Sequence, residues 1–444
     1  MSSGHFLFEF SQNMTYVIRE SPANGFFRGI EMPRFIADFH IHSKYSRATS
    51  KEMDVEHLSR FAKTKGIDLM GTGDFTHPSY LAELKGKLVP EGNGLFTYQD
   101  THFILTSEVS TDFYSKGKGR RIHNVIFAPS FQTVERINTQ LQGYGRLASD
   151  GRPDLRLDGR DLVRLVLNTD PDCLIIPAHV WTPWFSLFGA NSGFDSVEEC
   201  YGEQTANIYA LETGLSSDPP MNWRLSSLDR FALVSNSDAH SPSKIGREAN
   251  VFNTDMDYNS IVSAIKNRDN GKFLHTVEFF PQEGKYHFDG HRKCNIYLAP
   301  RETMSNNNLC PKCGQKLTIG VMHRVEELAD RPEGYIPPGA IPCKHLVPLM
   351  EIIAESIGKG VDTVSVKSMY ESLVQRFGPE FHILLDLPEE QLRREFPGRV
   401  GQGVIKARWG DLSIRPGYDG VFGLVKIFDE DGQKDQADQL SLFS

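Results

Sequence analysis

The chain has 444 residues, a formal net charge of −9 and 39% apolar residues. That length exceeds one ordinary domain and points to two to four, and the apolar share is ample for packed cores. No run of 18 apolar residues marks a transmembrane helix, and the acidic balance argues against bulk, non-specific binding of polyanions while leaving room for a local basic groove. Six cysteines in a chain of this size do not make a disulfide scaffold, and the first residues lack a basic stretch followed by an apolar one. A reducing cytoplasm is the expectation.

Residues 1–33 carry no chemistry that can be named. Met32 stands just before the first apolar run, so residues 1–31 read as an N-terminal extension or an upstream mis-start. From residue 34 to about 284 a rhythm repeats: apolar strand, polar loop, amphipathic helix. Phe35-Ile36-Ala37 leads into Asp38-Phe39-His40-Ile41-His42. In a strand alternate side chains share a face, so His40 and His42 project together with Asp38 in phase. Val55, Leu58, Phe61 and Ala62 make a helical stripe closed by Gly66. Ile67–Met70 is the next strand and runs into Gly73-Asp74, with His77 following. His102–Leu105 ends on Ser107-Glu108, and Ile122–Phe127 carries His123 near its start. Cys173–Pro177 leads to His179, and Phe231–Val234 leads to Asp238-Ala239-His240.

Strands alternating with helices over some 240 residues suggest a parallel α/β barrel or an open doubly wound sheet. The barrel is favoured, because His, Asp and Glu recur at the ends of several different strands and a barrel gathers those ends into one ring. No glycine-rich phosphate fingerprint follows the first strand.

Collected, the strand-end residues are His40, His42, Asp74, His77, Glu108, His123, His179, Asp238 and His240. A lone strand-end histidine is more often structural than a ligand; the set, at corresponding positions of successive strands, points to metal. Histidine plus carboxylate without thiolate suits Zn, Mn or Fe. So many donors imply two or three divalent ions about 3.5–4 Å apart, with Glu108 the natural bridge. Such ions supply a hydroxide near neutral pH. Lys44, Arg47, Asp74 and His77 are its candidate helpers, and Asp38 is expected to orient a histidine.

Further on, His291-x2-Cys294, fifteen intervening residues, then Cys310-x2-Cys313 has zinc-ribbon spacing and predicts one structural Zn within residues 285–344. His323, or Cys343 and His345, are alternatives to His291. Residues 345–400 read as helical, with stripes Leu349, Ile352, Ile353, Ile357 and Val366, Met369, Leu373, Phe377. Residues 401–428 read as a small β module with strands at Val404–Lys406 and Val421–Phe428. Residues 429–444 form a polar tail, read as disordered, that ends in Gln439-Leu440-Ser441-Leu442-Phe443.

His40-Ile41-His42, Gly73-Asp74, Glu108, His123, His179 and Asp238-Ala239-His240 resemble the ordered motifs of the PHP (polymerase and histidinol phosphatase) superfamily over about residues 34–280. The resemblance implies a distorted seven-stranded α/β barrel with a trinuclear metal site that hydrolyses phosphoesters. The sequence departs from the pattern at Asp74-Phe75, where Asp-His is usual, and at Ser46–Thr49, where a further histidine is often found; the third ion is the open point. The zinc module, the segment Thr318–Asp330 and Pro416-Gly417-Tyr418-Asp419-Gly420 extend the likeness to nearly the whole chain and resemble the endonuclease Q family. That implies damaged DNA as partner, cut on the 5′ side of deaminated bases (hypoxanthine, uracil, xanthine) or abasic sites.

Lys116, Lys118, Arg120 and Arg121 form either a solvated loop or a phosphate clamp beside His123. Trp181 and Trp184, in an aromatic loop after His179, either pack on the barrel rim or stack on an extruded base. Gln439, Leu440, Leu442 and Phe443 resemble the bacterial sliding-clamp-binding motif, which implies that clamp as a second partner and a bacterial source. The competing readings are a phosphatase of small monoesters, disfavoured by the appended modules, and a non-enzymatic adaptor, disfavoured by the nearly full ligand set. A monomer is the default expectation.

Overall fold

The computed structural model describes residues 34–428; the N-terminal extension and the clamp-like tail lie outside them. Seven strands build the central ring: β1 (Phe35–Asp38), β2 (Leu69–Gly71), β3 (Thr101–Ser115), β4 (Lys118–Ala128), β5 (Leu174–Pro177), β6 (Ala210–Glu212) and β7 (Ala232–Val234). β1, β2 and β3 pair in parallel, β4 pairs antiparallel with both β3 and β5, and β6 pairs in parallel with β7. A parallel bridge between Ile41 and Ala239 returns the end of β7 to β1. Beyond β1 the sheet continues through antiparallel β8 (Ala249–Phe252) and β9 (Phe273–Glu278). Mixed pairing in place of an all-parallel ring follows from the short turn between Ser115 and Lys118. A hairpin reverses direction, whereas a parallel join needs a long crossover.

This hairpin decides where His123 lies. β3 does not end at Glu108 as its sequence suggests but runs on to Ser115, paired rung for rung with β4. Because β4 runs backwards, a histidine near its start comes level with Ser110, two residues from Glu108.

The helices form for local reasons. Asp54 caps α1 (Val55–Lys65) by accepting from the His57 amide, Val55, Leu58 and Ala62 are buried, and Gly66 closes the helix at φ 82°. After the cysteine module, residues Cys343–His345 pair in parallel with β9, so the chain rejoins the main sheet before its helical part. That part comprises α2 (Leu349–Ile357), α3 (Val364–Phe377), α4 (Glu389–Glu395) and α5 (Val400–Trp409). Val404–Lys406, expected as a strand, is the middle of α5. Val400, Val404 and Ala407 recur at helical spacing and are buried. The glycines that suggest a turn serve close packing, since a Cβ on Gly401 would lie 2.0 Å from the Leu392 carbonyl oxygen. The strand expected over Val421–Phe428 shrinks to Leu424–Lys426, paired with Ser413–Arg415. Among the described residues no helix is long and apolar enough to cross a membrane.

Glu380 ties these helices to the ring. Its buried carboxylate accepts from Lys65 Nζ at 3.1 Å, the Leu349 amide at 2.9 Å and the Tyr370 hydroxyl at 2.8 Å. Burial would raise its pKa, but Lys65 and the three hydrogen bonds lower it. A depressed carboxylate contributes stability that is complete above its unfolded pKa and is lost as pH falls through the folded one. Glu380→Ala, which leaves Lys65 buried without its partner, should cost about 3–5 kcal/mol in denaturant unfolding at neutral pH. The gap from wild type should narrow below about pH 4; a gap independent of pH in that range overturns the assignment.

Candidate metal centre

Glu108 occupies the middle of β3 with its side chain fully enclosed. One oxygen lies 2.8 Å from His123 Nδ1 and 3.0 Å from His179 Nε2; the other lies 3.1 Å from His42 Nε2 and 3.5 Å from His40 Nε2. Asp238 Oδ1 adds a further oxygen, 3.0 Å from His42 Nε2 and 3.7 Å from His40 Nε2. Two groups result, His40–His42–Glu108–Asp238 and Glu108–His123–His179, and each can hold one cation with Glu108 common to both. The buried atoms His40 Nε2, His42 Nε2 and Asp238 Oδ1 make no hydrogen bond despite this proximity. Buried polar atoms are nearly always paired, and lone pairs converging without hydrogen bonds are what a metal needs.

The electrostatics agree. Burial works against charge on His40 and His42, yet the carboxylates beside them (Glu212 and Glu108 for His40, Asp74 and Asp238 for His42) lift both well above the usual histidine range. Burial likewise raises Glu108 and Asp238, and the surrounding imidazoles, with Arg152 at Glu108, bring both well below the carboxylate range. His123 is the exception, pushed down to about 4 by burial. The site therefore demands positive charge, supplied by protons or by divalent ions. Backbone strain accompanies it. Asp74, His179 and Asp238, each just beyond a ring strand, sit at φ 44°, 30° and 47°, values rare outside glycine.

Several expected residues have other tasks. Asp74 Oδ1 lies 3.1 Å from His42 Nδ1, while Oδ2 accepts from the Ser43 amide, the Ser43 hydroxyl and the Ser46 hydroxyl. Its lone pairs are committed, so it orients a histidine and belongs to neither group. Asp38 does not orient a histidine; it accepts from the amides of Ser237 and Gly246. His77 stacks on Tyr45 at 4.4 Å, outside both groups. His240 stands at the rim, its ring 4.5 Å from that of His42 and its Nδ1 2.8 Å from the Asp238 carbonyl oxygen. Lys44 is paired with Glu83 at 2.9 Å rather than facing the cluster, and Arg47, largely exposed, is paired with Asp150 at 3.0 Å.

The residues around the mouth divide similarly. Lys116 pairs with Glu199 at the hairpin tip and Lys118 is exposed there. Arg120 is buried, donates to the Gly193 carbonyl and lies 4.3 Å over the Phe194 ring; it pins the aromatic loop instead of clamping phosphate. Arg121 pairs with Asp112 and covers Phe185 at 5.2 Å. Trp181 is 1% exposed, packs on Phe188 at 4.8 Å and donates to Asn222 Oδ1. It is core, not a stacking platform, because its indole N–H finds an internal partner. The exposed aromatics are Trp184 and Phe185, and Phe185 lies parallel to His123 at 5.4 Å.

Two functional residues escape sequence reading. Glu212, at the end of the three-residue strand β6, places both oxygens 3.0 Å from His40 Nδ1 and accepts from the His179 amide and from Asn236. The signal, Ala210-Leu211-Glu212, repeats the pattern of an apolar strand ending in glutamate. Arg152, on a loop, reaches Glu108 at 3.2 Å. That loop is anchored by the Gly151 amide to the Tyr45 carbonyl and by the Thr76 hydroxyl to the Gly151 carbonyl.

The cysteine module resolves one alternative. His291, Cys294, Cys310 and Cys313 bring one donor atom each to within 4.8 Å of one another, with Cys313 Sγ 3.3 Å from His291 Nδ1. Tetrahedral Zn separates its N and S donors by about 3.5–3.8 Å. The cysteines are unbridged, and the Cys310 thiol, which burial would raise, is brought down to about 6 by backbone amides and His291. His323 is instead held 2.7 Å from Asp289 Oδ2, and His345 2.9 Å from Asp218 Oδ2 in the main sheet.

This arrangement has solved counterparts. The lesion-specific endonuclease PfuEndoQ from Pyrococcus furiosus superposes with a TM-score of 0.81 at 34% identity, over 89% of this chain and 95% of that one. An endonuclease Q complexed with a 27-mer duplex substrate with an abasic lesion at the active site gives 0.79 at 34% identity, over 89% and 97%. This chain belongs to the endonuclease Q family. The uncharacterized protein YqxK of Bacillus subtilis is 30% identical over 414 residues, 89% of this chain and all of YqxK. The uncharacterized protein MJ0043 of Methanocaldococcus jannaschii is 33% identical over 255 residues, 56% of this chain and 31% of MJ0043. Residues 348–411, spanning α2 to α5, match the MJ0043 C-terminal domain family.

If Glu212 fixes the ring of His40, Glu212→Gln should weaken divalent metal retention by about 10–100-fold. Metal content after dialysis against graded chelator measures this, and retention equal to wild type rules the role out.

Proposed function

We propose that this protein is a metal-dependent DNA repair endonuclease that hydrolyses the phosphodiester on the 5′ side of deaminated bases (hypoxanthine, uracil or xanthine) or abasic sites. The observation that carries the reading is Glu108, buried with histidine donors on both of its oxygens, in a chain that aligns along nearly its whole length with a lesion-specific endonuclease.

The donors fit metal. His40, His42, Glu108 and Asp238 would hold one divalent ion and Glu108, His123 and His179 a second, with His240 at the edge; the His and carboxylate chemistry suits Zn, Mn or Fe. Divalent ions bound there supply Lewis acidity and make water a nucleophile near neutral pH. His291, Cys294, Cys310 and Cys313 would hold a closed, structural Zn.

The chain's own residues do the rest. Glu212 and Asp74 fix the rings of His40 and His42 through their Nδ1 atoms, leaving each Nε2 toward the cluster. Arg152, held at Glu108 and partly exposed, offers N–H donors to a non-bridging phosphate oxygen at the mouth. Phe185, flat against His123, and Trp184 beside it offer faces on which an extruded base stacks.

Duplexes carrying inosine, uracil, xanthine, an abasic site or no lesion test this directly. The expected result is a nick 5′ of the lesion that disappears with chelator and returns with divalent metal. Phe185→Ala should cut lesion DNA at least tenfold more slowly, with a smaller loss on bis(4-nitrophenyl) phosphate. No nicking of any lesion duplex, with histidinol phosphate hydrolysed instead, overturns the reading.

The tail motif Gln439–Phe443 supports a further proposal, that the chain docks on a bacterial sliding clamp. An apolar pair next to a strongly polar stretch is costly in water unless a partner buries it. Deleting residues 439–444 should abolish clamp binding in a pull-down while short lesion duplexes are still cut. Undiminished binding rejects the motif.

A further inference from the structure

The two donor groups that share Glu108 differ in what stands behind them. In the first, His40 Nδ1 meets the Glu212 carboxylate at 3.0 Å and His42 Nδ1 meets that of Asp74 at 3.1 Å, and Asp238 adds an acid of its own. In the second, Glu108 is the sole acid. Among the described residues no other carboxylate stands within ion-pair distance of the His123 or His179 side chain. A carboxylate on the far nitrogen fixes an imidazole and makes it a more basic ligand. His179 has a hydroxyl there instead, with its Nδ1 3.2 Å from Thr182 Oγ1.

Thr182 stands at the start of the aromatic loop, and its hydroxyl has one proton to give. The carbonyl oxygens of Trp184 at 2.9 Å and of His179 at 3.2 Å are its acceptors. With that proton on a backbone carbonyl, Oγ1 accepts from His179 Nδ1–H, which leaves the lone pair of Nε2 facing Glu108 at 3.0 Å. The loop thereby selects the tautomer of His179 that can bind metal. The other histidine of this group is tied to the same loop. The His123 amide donates to the Phe185 carbonyl at 3.1 Å, and the Phe185 ring lies parallel to the imidazole at 5.4 Å. Phe185 sits at φ 63°, a conformation that its side chain disfavours and the loop must hold. The first group has no such tie, because Glu212 belongs to the ring strand β6 and Asp74 lies just beyond β2.

We propose that Thr182 is a positioning residue for His179, and that through it the aromatic loop sets how tightly the second ion, that of Glu108, His123 and His179, is held. The first site rests on the ring strands and is the tighter. The second is the weaker and is complete only when the loop is seated. Such coupling is reciprocal: whatever orders the loop tightens the second ion, and the second ion orders the loop. The inference rests on the metal-dependent reading above and adds to it an order of occupation and the residue that enforces it.

The test uses the full-length protein, dialysed against a mild chelator until metal analysis shows only the Zn²⁺ of the cysteine module. Mn²⁺ is the probe, since it prefers carboxylate and imidazole to thiolate, and free Mn²⁺ is read from its EPR signal during titration. Wild type should bind in a tighter and a weaker step. Thr182→Val, which keeps the shape and removes the hydroxyl, should weaken the second step about tenfold and leave the first within about twofold. Thr182→Ser, which keeps the hydroxyl, should restore the second step. On bis(4-nitrophenyl) phosphate, Thr182→Val should need about tenfold more Mn²⁺ for half its maximal rate while that maximum stays close to wild type. An unchanged second step, equal loss in both steps, or a serine variant that behaves as the valine one overturns the proposal. If wild type takes up no Mn²⁺ beyond the cysteine module, the metal-dependent reading itself fails.

Discussion

A single desolvated carboxylate organises this molecule. Glu108 has no access to water, and burying an isolated carboxylate is costly enough that it normally takes up a proton. It remains ionised because two imidazoles meet each oxygen and Arg152 meets one of them as well. Those histidines are themselves buried, and two of them, His40 and His42, need further acids at Nδ1, which Glu212 and Asp74 provide. The network closes only if strands distant in sequence converge to within hydrogen-bonding distance. The ring achieves that convergence, and the positive φ angles at Asp74, His179 and Asp238 turn the backbone at its edge.

The β3–β4 hairpin matters more than its share of the ring suggests. Glu108 and His123 stand two rungs apart on one antiparallel ladder, so their relation is set by backbone hydrogen bonds rather than by loop conformation. The same ladder carries Arg121 over Phe185 and Arg120 onto Gly193, so the aromatic loop is tied to the strand that bears a metal-type histidine. Loops fixed in this way can present exposed aromatic faces without collapsing into the core, as Trp181 and Phe188 in the same loop have done.

How far the sequence revealed this depended on the length of each element. His40-x-His42 and Asp238-x-His240 were legible because each follows an apolar run and repeats a spacing. Glu108 and His123 were legible as residue types but not as a pair, since the hairpin joining them is invisible until Ser115 and Lys118 are seen to turn. Glu212 was missed because a three-residue strand gives too little periodicity to stand out. Trp181 and Arg120 were left open between two readings for a common reason: composition shows that a loop is aromatic or basic, but only packing shows which members find an internal partner. The Val404 error has a different origin, because glycines at 401 and 403 lower helix propensity while permitting close contact with neighbouring helices, and packing outweighs propensity.

The overall charge of the chain and the charge of the cysteine module are opposite in sign, and physically these belong together. A uniformly basic protein binds any nucleic acid and exchanges slowly among undamaged sites. With a net −9 over the whole chain and a formal +4 over residues 285–320, the positive charge of the module is a local feature. At physiological salt, screening limits such a patch to about 8 Å. Tyr286 and Arg324 fasten the module to the aromatic loop, so its charge stands in a fixed relation to Trp184, Phe185 and the Glu108 cluster.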